Sequence, residues 1–487
     1  MLRNRIVYLL LVATALASCK KEFEGDKTTN TTPETYLAVD SIYRSGENRY
    51  TTTVEAHWWG TVQGSFIKGY EVSIDNMQTW EYTTKQQNTF LLTLPFGSDT
   101  GDIRIFVRAI NNEGIKDPTP ASVAYPVKNT PPTIAFDYSQ GRKTTSYPAF
   151  RFNWKAVDAD GDRDILHIEV CFNDTTKIVT LPPTVNASTF VGERTNGNFT
   201  GNYLLYNNTQ TTAFGQKLTG IVLNSLNYLY IRSVDRTGAK SPWTKDSLFI
   251  KQPQASGIVF INDYNSNRNQ ITNFYTARLN NLGAGYNQFD TIRSLLDELP
   301  SDAFTMTKAF DFFNRVVWVT EDPTRSLGAA QSNTGSFFNN GGKLFMVLEI
   351  PADVPEDAAI FNFTPIRNLV ANPGRAFRMS NGDRIIGYTN WPELRATTII
   401  TLPRPFNPYT GSTGLFTYDS LARAELRSFG PGGAPAWTGP STVMAKRINT
   451  QKGTADFVTL TVPMHLMNGN NNVDSFFKKV VISELGF

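Results

Sequence analysis

An acidic loop carries the densest set of potential metal ligands in this chain of 487 residues. Asp158, Asp160, Asp162 and Asp164 occupy alternate positions, and hard oxygen ligands at that density suit Ca²⁺. Arg163 stands where an EF-hand loop requires glycine, so the segment is not an EF-hand. The alternative is a plain turn whose Asp and Gly residues satisfy the turn backbone. The sequence leaves both interpretations open, and Ca²⁺ is the one cofactor that it suggests.

Three residues in the second half are weak candidates for catalysis. Asp263, Glu349 and His465 each follow an apolar run with the pattern of a buried strand, and ligands of open α/β sheets bind at strand ends. The alternative is that His465 is a polar rim residue, which is common for a lone histidine beside a strand. With three histidines in the whole chain, a dense histidine metal cluster is excluded.

The N-terminus has the layout of a secretory signal. Arg3 and Arg5 precede an apolar run from Ile6 to Ala17, which is too short to span a membrane. Leu16-Ala17-Ser18-Cys19 resembles the lipobox of bacterial lipoproteins. This resemblance implies that residues 1–19 are a lipoprotein signal, that Cys19 is lipidated, and that the membrane is a partner through this anchor.

The residues after Cys19 predict a flexible tether and a cellular location. Lys20-Lys21-Glu22-Phe23-Glu24 resembles the charged export signals of Bacteroidota surface lipoproteins, which implies the cell envelope, anchorage to the outer membrane and display at the cell surface. Residues 20–34 are polar and predict a flexible tether. Net charge is +3, so nothing indicates nucleic acid as a partner. With Cys19 acylated, Cys171 has no partner and no disulfide framework is possible.

Residues 35–128 and 129–253 contain an internal repeat. Residues 107–111 (VRAIN) and 231–235 (IRSVD) are each followed, at the same spacing, by Gly, Lys and Pro. Trp59 and Trp154 precede matching apolar strands at residues 70–74 and 168–172. Short alternating strands between turn residues predict antiparallel sandwiches, and the pattern resembles tandem fibronectin type III or immunoglobulin-like domains.

Residues 254–487 change character. Continuous apolar runs at 257–263, 316–319, 344–348 and 457–463 predict strands buried on both faces, and patterns at 291–299, 327–339 and 473–485 predict helices. The fold class predicted for the whole chain is therefore two all-β antiparallel sandwiches followed by an α/β three-layer domain. A long, loop-rich insertion is expected at about residues 365–450.

Two short motifs in this region resemble class I glutamine amidotransferase-like domains, which have a flavodoxin-like fold. They are Phe337-Phe338-Asn339-Asn340-Gly341-Gly342-Lys343-Leu344 and Val462-Pro463-Met464-His465. Active members of that family need a nucleophilic cysteine on a strand-to-helix elbow. The matching segment reads Leu348-Glu349-Ile350-Pro351, and Gly-x-Ser-x-Gly is absent from the chain, so the resemblance implies a degenerate domain.

Three functions follow from these observations. The first is a non-catalytic surface lipoprotein whose sandwich stalk presents the α/β domain to a ligand or an envelope protein. The second is glycan binding or glycan processing, with the α/β domain a divergent hydrolase and carbohydrate as the partner. It is suggested by aromatic residues that stack on sugars, with Trp391 and Trp437 as the candidate contacts. The third is a structural component of the envelope.

Overall fold

A computed structural model describes residues 31–39, 44–45, 49–50, 53–92, 94–290, 300, 302–321, 323–351, 353–354 and 359–487. The predictions for the signal (including Cys19), for most of the tether and for a helix at 291–299 lie outside these residues. Within them, no helix has the length and apolar character needed to cross a membrane.

The chain folds into two compact units. Of the described residues, those up to Pro132 together with Val157–Leu166 and Val234–Lys240 form the first unit, and those in Thr133–Ala156, His167–Ser233 and Ser241–Phe487 form the second. The first unit therefore contains the first sandwich and two loops that lie between strands of the second. The second sandwich otherwise belongs with the C-terminal domain.

The first sandwich has a three-stranded and a six-stranded sheet, with strand orders β1-β4-β7 and β2-β3-β9-β8-β5-β6. Its strands are β1 (Glu34–Val39), β2 (Arg44–Ser45), β3 (Arg49–Tyr50), β4 (Thr53–Thr61), β5 (Ile67–Ser73), β6 (Glu81–Thr83), β7 (Gln87–Leu91), β8 (Thr100–Asn111) and β9 (Ala121–Lys128). Alternate residues of β4 and β8 point inward, so Trp58 and Val107 meet in one core.

The second sandwich has two five-stranded sheets, with orders β10-β12-β15-β16-β17 and β11-β19-β18-β13-β14. Its strands are β10 (Thr133–Phe136), β11 (Thr145–Ser146), β12 (Ala149–Val157), β13 (Ile165–Phe172), β14 (Val179–Leu181), β15 (Ala187–Thr195), β16 (Asn198–Asn207), β17 (Lys217–Leu218), β18 (Ser225–Asp235) and β19 (Thr244–Ile250). Phe150, Phe172 and Phe190 pack ring on ring between the sheets, with centroids 5.5 to 5.9 Å apart.

The two copies of the repeat make equivalent side-chain contacts. Arg108 pairs with Glu71 in the first copy, and Arg232 pairs with Glu169 in the second. The indole N–H groups of Trp58 and Trp154 each donate to a backbone carbonyl and are buried. Trp58 is thus the equivalent of Trp154, and the alignment on Trp59 was wrong by one residue. The alternation of β4 buries Trp58 and turns Trp59 outward.

The C-terminal region is built on a ten-stranded mixed sheet of order β21-β20-β22-β23-β34-β33-β31-β26-β27, with β30 paired to β31. Its parallel strands are β20 (Ile258–Asp263), β21 (Asn287–Asp290), β22 (Arg315–Thr320), β23 (Lys343–Leu348) and β34 (Thr454–Leu460). In chain order these parallel strands are arranged 2-1-3-4-5. The four predicted apolar runs fall on four of them, whereas β21 was not predicted.

The insertion is rich in strands rather than in loops. It contains β24 (Ile366–Leu369), β25 (Ala376–Met379), β26 (Arg384–Gly387), β27 (Leu394–Arg395), β28 (Ile400–Thr401), β29 (Phe406–Pro408), β30 (Ser412–Thr413), β31 (Phe416–Ala424), β32 (Arg427–Phe429) and β33 (Thr442–Asn449). Strands β33, β31, β26 and β27 extend the main sheet in antiparallel fashion.

Helices pack against both faces of the parallel strands. They are α1 (Arg268–Asn280), α2 (Ala303–Phe310), α3 (Pro323–Asn333), α4 (Gly335–Asn339), α5 (Ala359–Phe363) and α6 (Val473–Lys478), which continues as a π-helix at Lys479–Glu484. Phe260 contacts the apolar cluster of α1 and α6, while Ile261 contacts that of α2 to α5. This alternation explains why the runs are apolar at every position.

The second sandwich shares a core with this region inside the second unit. Tyr147 and Tyr206 belong to the same buried cluster as Trp318. The ring of Tyr206 lies 5.0 Å from that of Phe304, and the hydroxyls of Thr189 and Thr305 are 2.8 Å apart and buried. The second sandwich and the C-terminal region are therefore packed together across the predicted domain boundary at residue 253.

Candidate functional site

The carboxyl ends of the parallel strands bring a group of polar side chains together. Strand β20 ends at Asp263, β22 at Thr320 and β23 at Leu348, so Tyr264, Glu321 and Glu349 follow at one edge of the sheet. The order 2-1-3 places a topological switch between β20 and β22, which is where open α/β sheets bind ligands.

Tyr264, Glu349 and His465 form what we call the strand-end cluster. The hydroxyl of Tyr264 donates to Oε1 of Glu349 at 2.7 Å. The imidazole of His465 packs edge-on against the ring of Tyr264, with centroids 5.5 Å apart. Two predicted candidates, Glu349 and His465, are therefore joined through Tyr264, which was not predicted.

Burial sets the protonation of this cluster. It raises the pKa of Glu349, and the nearby charge of Glu321 adds to the effect. Burial lowers the pKa of His465 to about 4, so this imidazole is neutral near pH 7. Burial and the charge of Glu349 raise the pKa values of Tyr264 and Tyr275. The tyrosine hydroxyls thus remain hydrogen-bond donors across the physiological pH range.

Two polar atoms beside the cluster are buried and lack a hydrogen-bond partner among the described residues. They are Nδ1 of His465 and the hydroxyl of Tyr275. Tyr275 belongs to α1 and its side chain is fully buried. Unsatisfied buried polar groups are uncommon and costly, and they often mark functional sites. The arrangement can offer hydrogen bonds to a polar ligand.

Asp263 is buried and hydrogen-bonded within the fold. It is 2% exposed, and the hydroxyl of Ser326 donates to its Oδ2. The same hydroxyl lies 2.8 Å from that of Thr320, and Ser326 is fully buried. Asp263 thus links the end of β20 to α3. Ser326 is too deeply buried to act as a nucleophile.

Glu321 positions the loop that carries Tyr264. Its Oε1 accepts hydrogen bonds from the backbone N–H groups of Asn265 and Ser266, at 2.7 and 3.2 Å. Its Oε2 accepts one from the hydroxyl of Ser266 at 2.5 Å. Glu321 was not predicted, although its place directly after a buried strand is the signal that identified Glu349.

The thiol of Cys171 is poorly suited to nucleophilic catalysis. Cys171 lies in β13 of the second sandwich with no exposed surface. Burial raises its pKa to about 11, so its thiolate, the nucleophilic form, is scarce near pH 7.

We expect the depressed pKa of His465 to make the fold sensitive to acid. The unfolded chain takes up the proton near pH 6.5 and the folded chain only near pH 4, so stability falls as the pH drops across this window. At pH 4.5 the loss should be about 2.5 kcal/mol relative to pH 7. Urea unfolding of the wild type and of His465→Leu at both pH values measures it. An equal loss in the variant would assign the effect to other groups.

The acidic loop forms a second candidate site, within the first unit. Asp158, Asp164 and Asp235 each direct a carboxylate oxygen to a common point, and these oxygens lie within 4.8 Å of one another. The three side chains are at most 5% exposed. We call them the acidic triad.

Two of the four predicted ligands, Asp160 and Asp162, accept backbone hydrogen bonds. Oδ2 of Asp160 accepts the N–H of Thr130 at 2.6 Å, and the exposed Asp162 accepts the N–H of Asp158 at 3.1 Å. These two residues shape the turn, while Asp235 joins from another loop. Asp235 occupies the place of Asn111 in the repeat, and the change from amide to carboxylate is the signal that could have found it.

Mutual repulsion and burial shape the electrostatics of the acidic triad. Burial, followed by the charges of Asp160, Asp164 and Asp235, raises the pKa of Asp158 to about 7. Burial and the charge of Asp235 likewise raise the pKa of Asp164, against the opposing effect of Arg236. Buried like charges at this distance are costly unless a cation or protons neutralise them.

The predicted tryptophan contacts are engaged in packing. Trp391 is partly buried and lies 5.1 Å from the ring of Phe476, and Trp437 lies 5.1 Å from that of Phe377. Trp59 is 47% exposed and stacks on Tyr36 at 5.4 Å. Of these three tryptophans, the exposed one is thus on the first sandwich.

Comparisons with known proteins give no family. No family model matches the chain, and no curated protein matches it. Solved structures that match include the fibronectin(III)-like modules of Clostridium thermocellum CbhA, at 13% identity over 45% of this chain and 95% of that chain, with a TM-score of 0.18. A two-domain fibronectin type III segment of chicken tenascin matches at 14% identity over 45% and 99%, with a TM-score of 0.21. At such scores the sandwich assignment rests on the strand pairing alone.

Proposed function

We propose that this chain is a lipid-anchored, non-catalytic surface protein that binds a polar ligand at the strand-end cluster. The observation that carries the proposal is the group formed by Glu349, Tyr264 and His465 at the switch of the parallel sheet. The proposed location of the protein at the cell surface rests on the lipobox at Leu16-Ala17-Ser18-Cys19 and on the charged residues after it. The sandwiches then lie between the anchor and the binding domain along the chain.

The strand order supports a flavodoxin-like origin for the C-terminal region. A parallel order of 2-1-3-4-5 is that of flavodoxin-like folds, which bind ligands beside the switch. The two sequence motifs noted above favour a degenerate amidotransferase-like member. Binding without catalysis fits the segment at Leu348–Pro351, which offers neither Cys nor Ser after β23.

The chemistry of the strand-end cluster favours a ligand rich in hydroxyl or amide groups. Glu349 has a raised pKa and His465 is neutral near pH 7, so the cluster carries little positive charge with which to attract an anion. The unsatisfied groups beside it are Nδ1 of the imidazole and a tyrosine hydroxyl. A ligand that donates a hydrogen bond to the imidazole would satisfy its Nδ1.

We expect Glu349→Gln to weaken binding at least tenfold, because a neutral amide replaces the carboxylate that accepts the hydrogen bond of Tyr264. The probes are defined sets of soluble oligosaccharides and short peptides, first screened by thermal shift and then titrated by calorimetry. Asp419→Asn is the matched control, since it removes a carboxylate that is 56% exposed elsewhere in the same domain. Equal affinities in both variants would refute the proposal.

Glycan recognition is the second candidate, and the exposed pair of Tyr36 and Trp59 favours it. A flat aromatic surface on the first sandwich suits stacking on a sugar ring. In the same screen, oligosaccharide binding that is lost in Trp59→Ala and retained in Glu349→Gln would identify this surface, rather than the strand-end cluster, as the ligand-binding site.

A further inference from the structure

We propose that the acidic triad binds one Ca²⁺ ion. Two ligands of a calcium ion, each at about 2.4 Å, lie at most about 4.8 Å apart across the ion. The converging oxygens of Asp158, Asp164 and Asp235 satisfy this limit. All three ligands are hard carboxylate oxygens, which suit Ca²⁺ better than Zn²⁺, whose sites favour nitrogen and sulfur.

Unsatisfied oxygens at the triad point to a missing ligand. Both carboxylate oxygens of Asp164 and Oδ2 of Asp158 are buried and lack a hydrogen-bond partner among the described residues. Asp164 is 1% exposed. One proton shared between two carboxyl groups would satisfy two of these oxygens at most. A divalent cation would satisfy all three.

A further buried oxygen without a hydrogen-bond partner in the described part of the chain belongs to a residue that contacts the triad, in the linker between the repeats. Asn129 is 6% exposed, and its Nδ2 donates to Oδ2 of Asp235 at 2.6 Å. Its Oδ1 is buried and also lacks a partner among the described residues. This amide is independent of the acidic loop, and it adds a neutral ligand of the kind that calcium sites use.

The backbone around the triad is already shaped for an ion. Gly161 adopts a φ of 120°, which residues with a side chain rarely take, and this turn returns the chain so that Asp158 and Asp164 approach each other. Asp235 is held by the N–H of Ala239 at 2.9 Å and by the hydroxyl of Thr237 at 2.7 Å. The ion would fasten the two loops, residues 157–166 and 234–240, to each other within the first unit.

The test is calorimetric titration of the purified, chelator-treated protein with CaCl₂. We expect one site with a Kd of about 0.1 to 1 mM, as in extracellular calcium modules. Asp164→Asn should bind at least tenfold more weakly, because it loses a ligand charge. Asp162→Asn should stay within about twofold, because Asp162 is exposed and outside the triad and because asparagine keeps the oxygen that accepts the N–H of Asp158.

Absence of binding by the wild type up to about 10 mM Ca²⁺ would overturn the proposal, as would equal losses in the two variants. If Asp164→Asn does not fold, crystals of the wild type soaked in a lanthanide salt decide the matter. Anomalous density between Asp158, Asp164 and Asp235 would support the site. Density elsewhere, or none, would overturn it.

Discussion

Tyr147→Ala should destabilise the second unit by about 3–5 kcal/mol, the range for losing a large buried aromatic side chain. Tyr147 precedes β12 of the second sandwich but packs into the core of the C-terminal region. It is 3% exposed, and its ring meets that of Phe313 edge-on at 5.1 Å. Its hydroxyl accepts the N–H of Gln288 in β21 at 2.9 Å. The substitution therefore removes apolar contacts and a hydrogen bond to the backbone of an outer strand.

Urea unfolding measures this loss, and hydrogen exchange of residues 287–290 locates it, since β21 should open more readily in the variant. Tyr228→Ala is the matched control: the residue lies in the same sandwich, is 38% exposed, and should cost less than about 1 kcal/mol. Similar losses in the two variants would show that the sandwich and the C-terminal region do not share a core.

Arg447→Met should destabilise the protein by about 3–5 kcal/mol, because it leaves the buried carboxylate of Asp456 without its cation. Nε of Arg447 donates to Oδ1 of Asp456 at 2.8 Å, and both side chains are less than 10% exposed. The guanidinium lies 4.4 Å from the ring centroids of both Phe338 and Phe416. It is thus held by an ion pair and by aromatic faces together.

The double variant Arg447→Met with Asp456→Leu separates these effects. Apolar replacement of a whole buried ion pair is often neutral, so the double variant should recover most of the stability lost in the single one. Urea unfolding measures all three proteins. Lys177→Met serves as the control, because its pair with Asp174 is exposed and screened by solvent, so its loss should leave the stability nearly unchanged. No recovery in the double variant would mean that the aromatic cage, rather than the charge, requires arginine.

Strands whose pattern lies in residues adjacent along the chain could be predicted from the sequence. The four apolar runs became β20, β22, β23 and β34, because strands buried on both faces need apolar residues throughout. Strand β21 has the sequence Asn-Gln-Phe-Asp and lies at the sheet edge, so it carries no such run. The strands of the insertion are short, and their pairing partners are distant in the chain.

The candidate sites were partly predictable for the same reason. Glu349 and His465 follow apolar runs, and the acidic loop shows its alternation directly. Tyr264 and Asp235 reach their sites from segments far along the chain, so only the fold brings them in. Whether Trp58 or Trp59 is the buried tryptophan depends on which residues of β4 face the core, since neighbouring residues of a strand face opposite sides.

The most direct test of ligand binding at the strand-end cluster is the imidazole NMR spectrum of the intact protein during titration with the compound found in the screen. The chain has three histidines, so the spectrum is simple. We expect the signals of His465 to move in proportion to occupancy while those of His57 and His167 stay still. His57 lies on the same face of β4 as Trp59 and reports on the aromatic surface there. At saturation, an unchanged His465 would contradict the account, and a shifted His57 would place the ligand on the first sandwich.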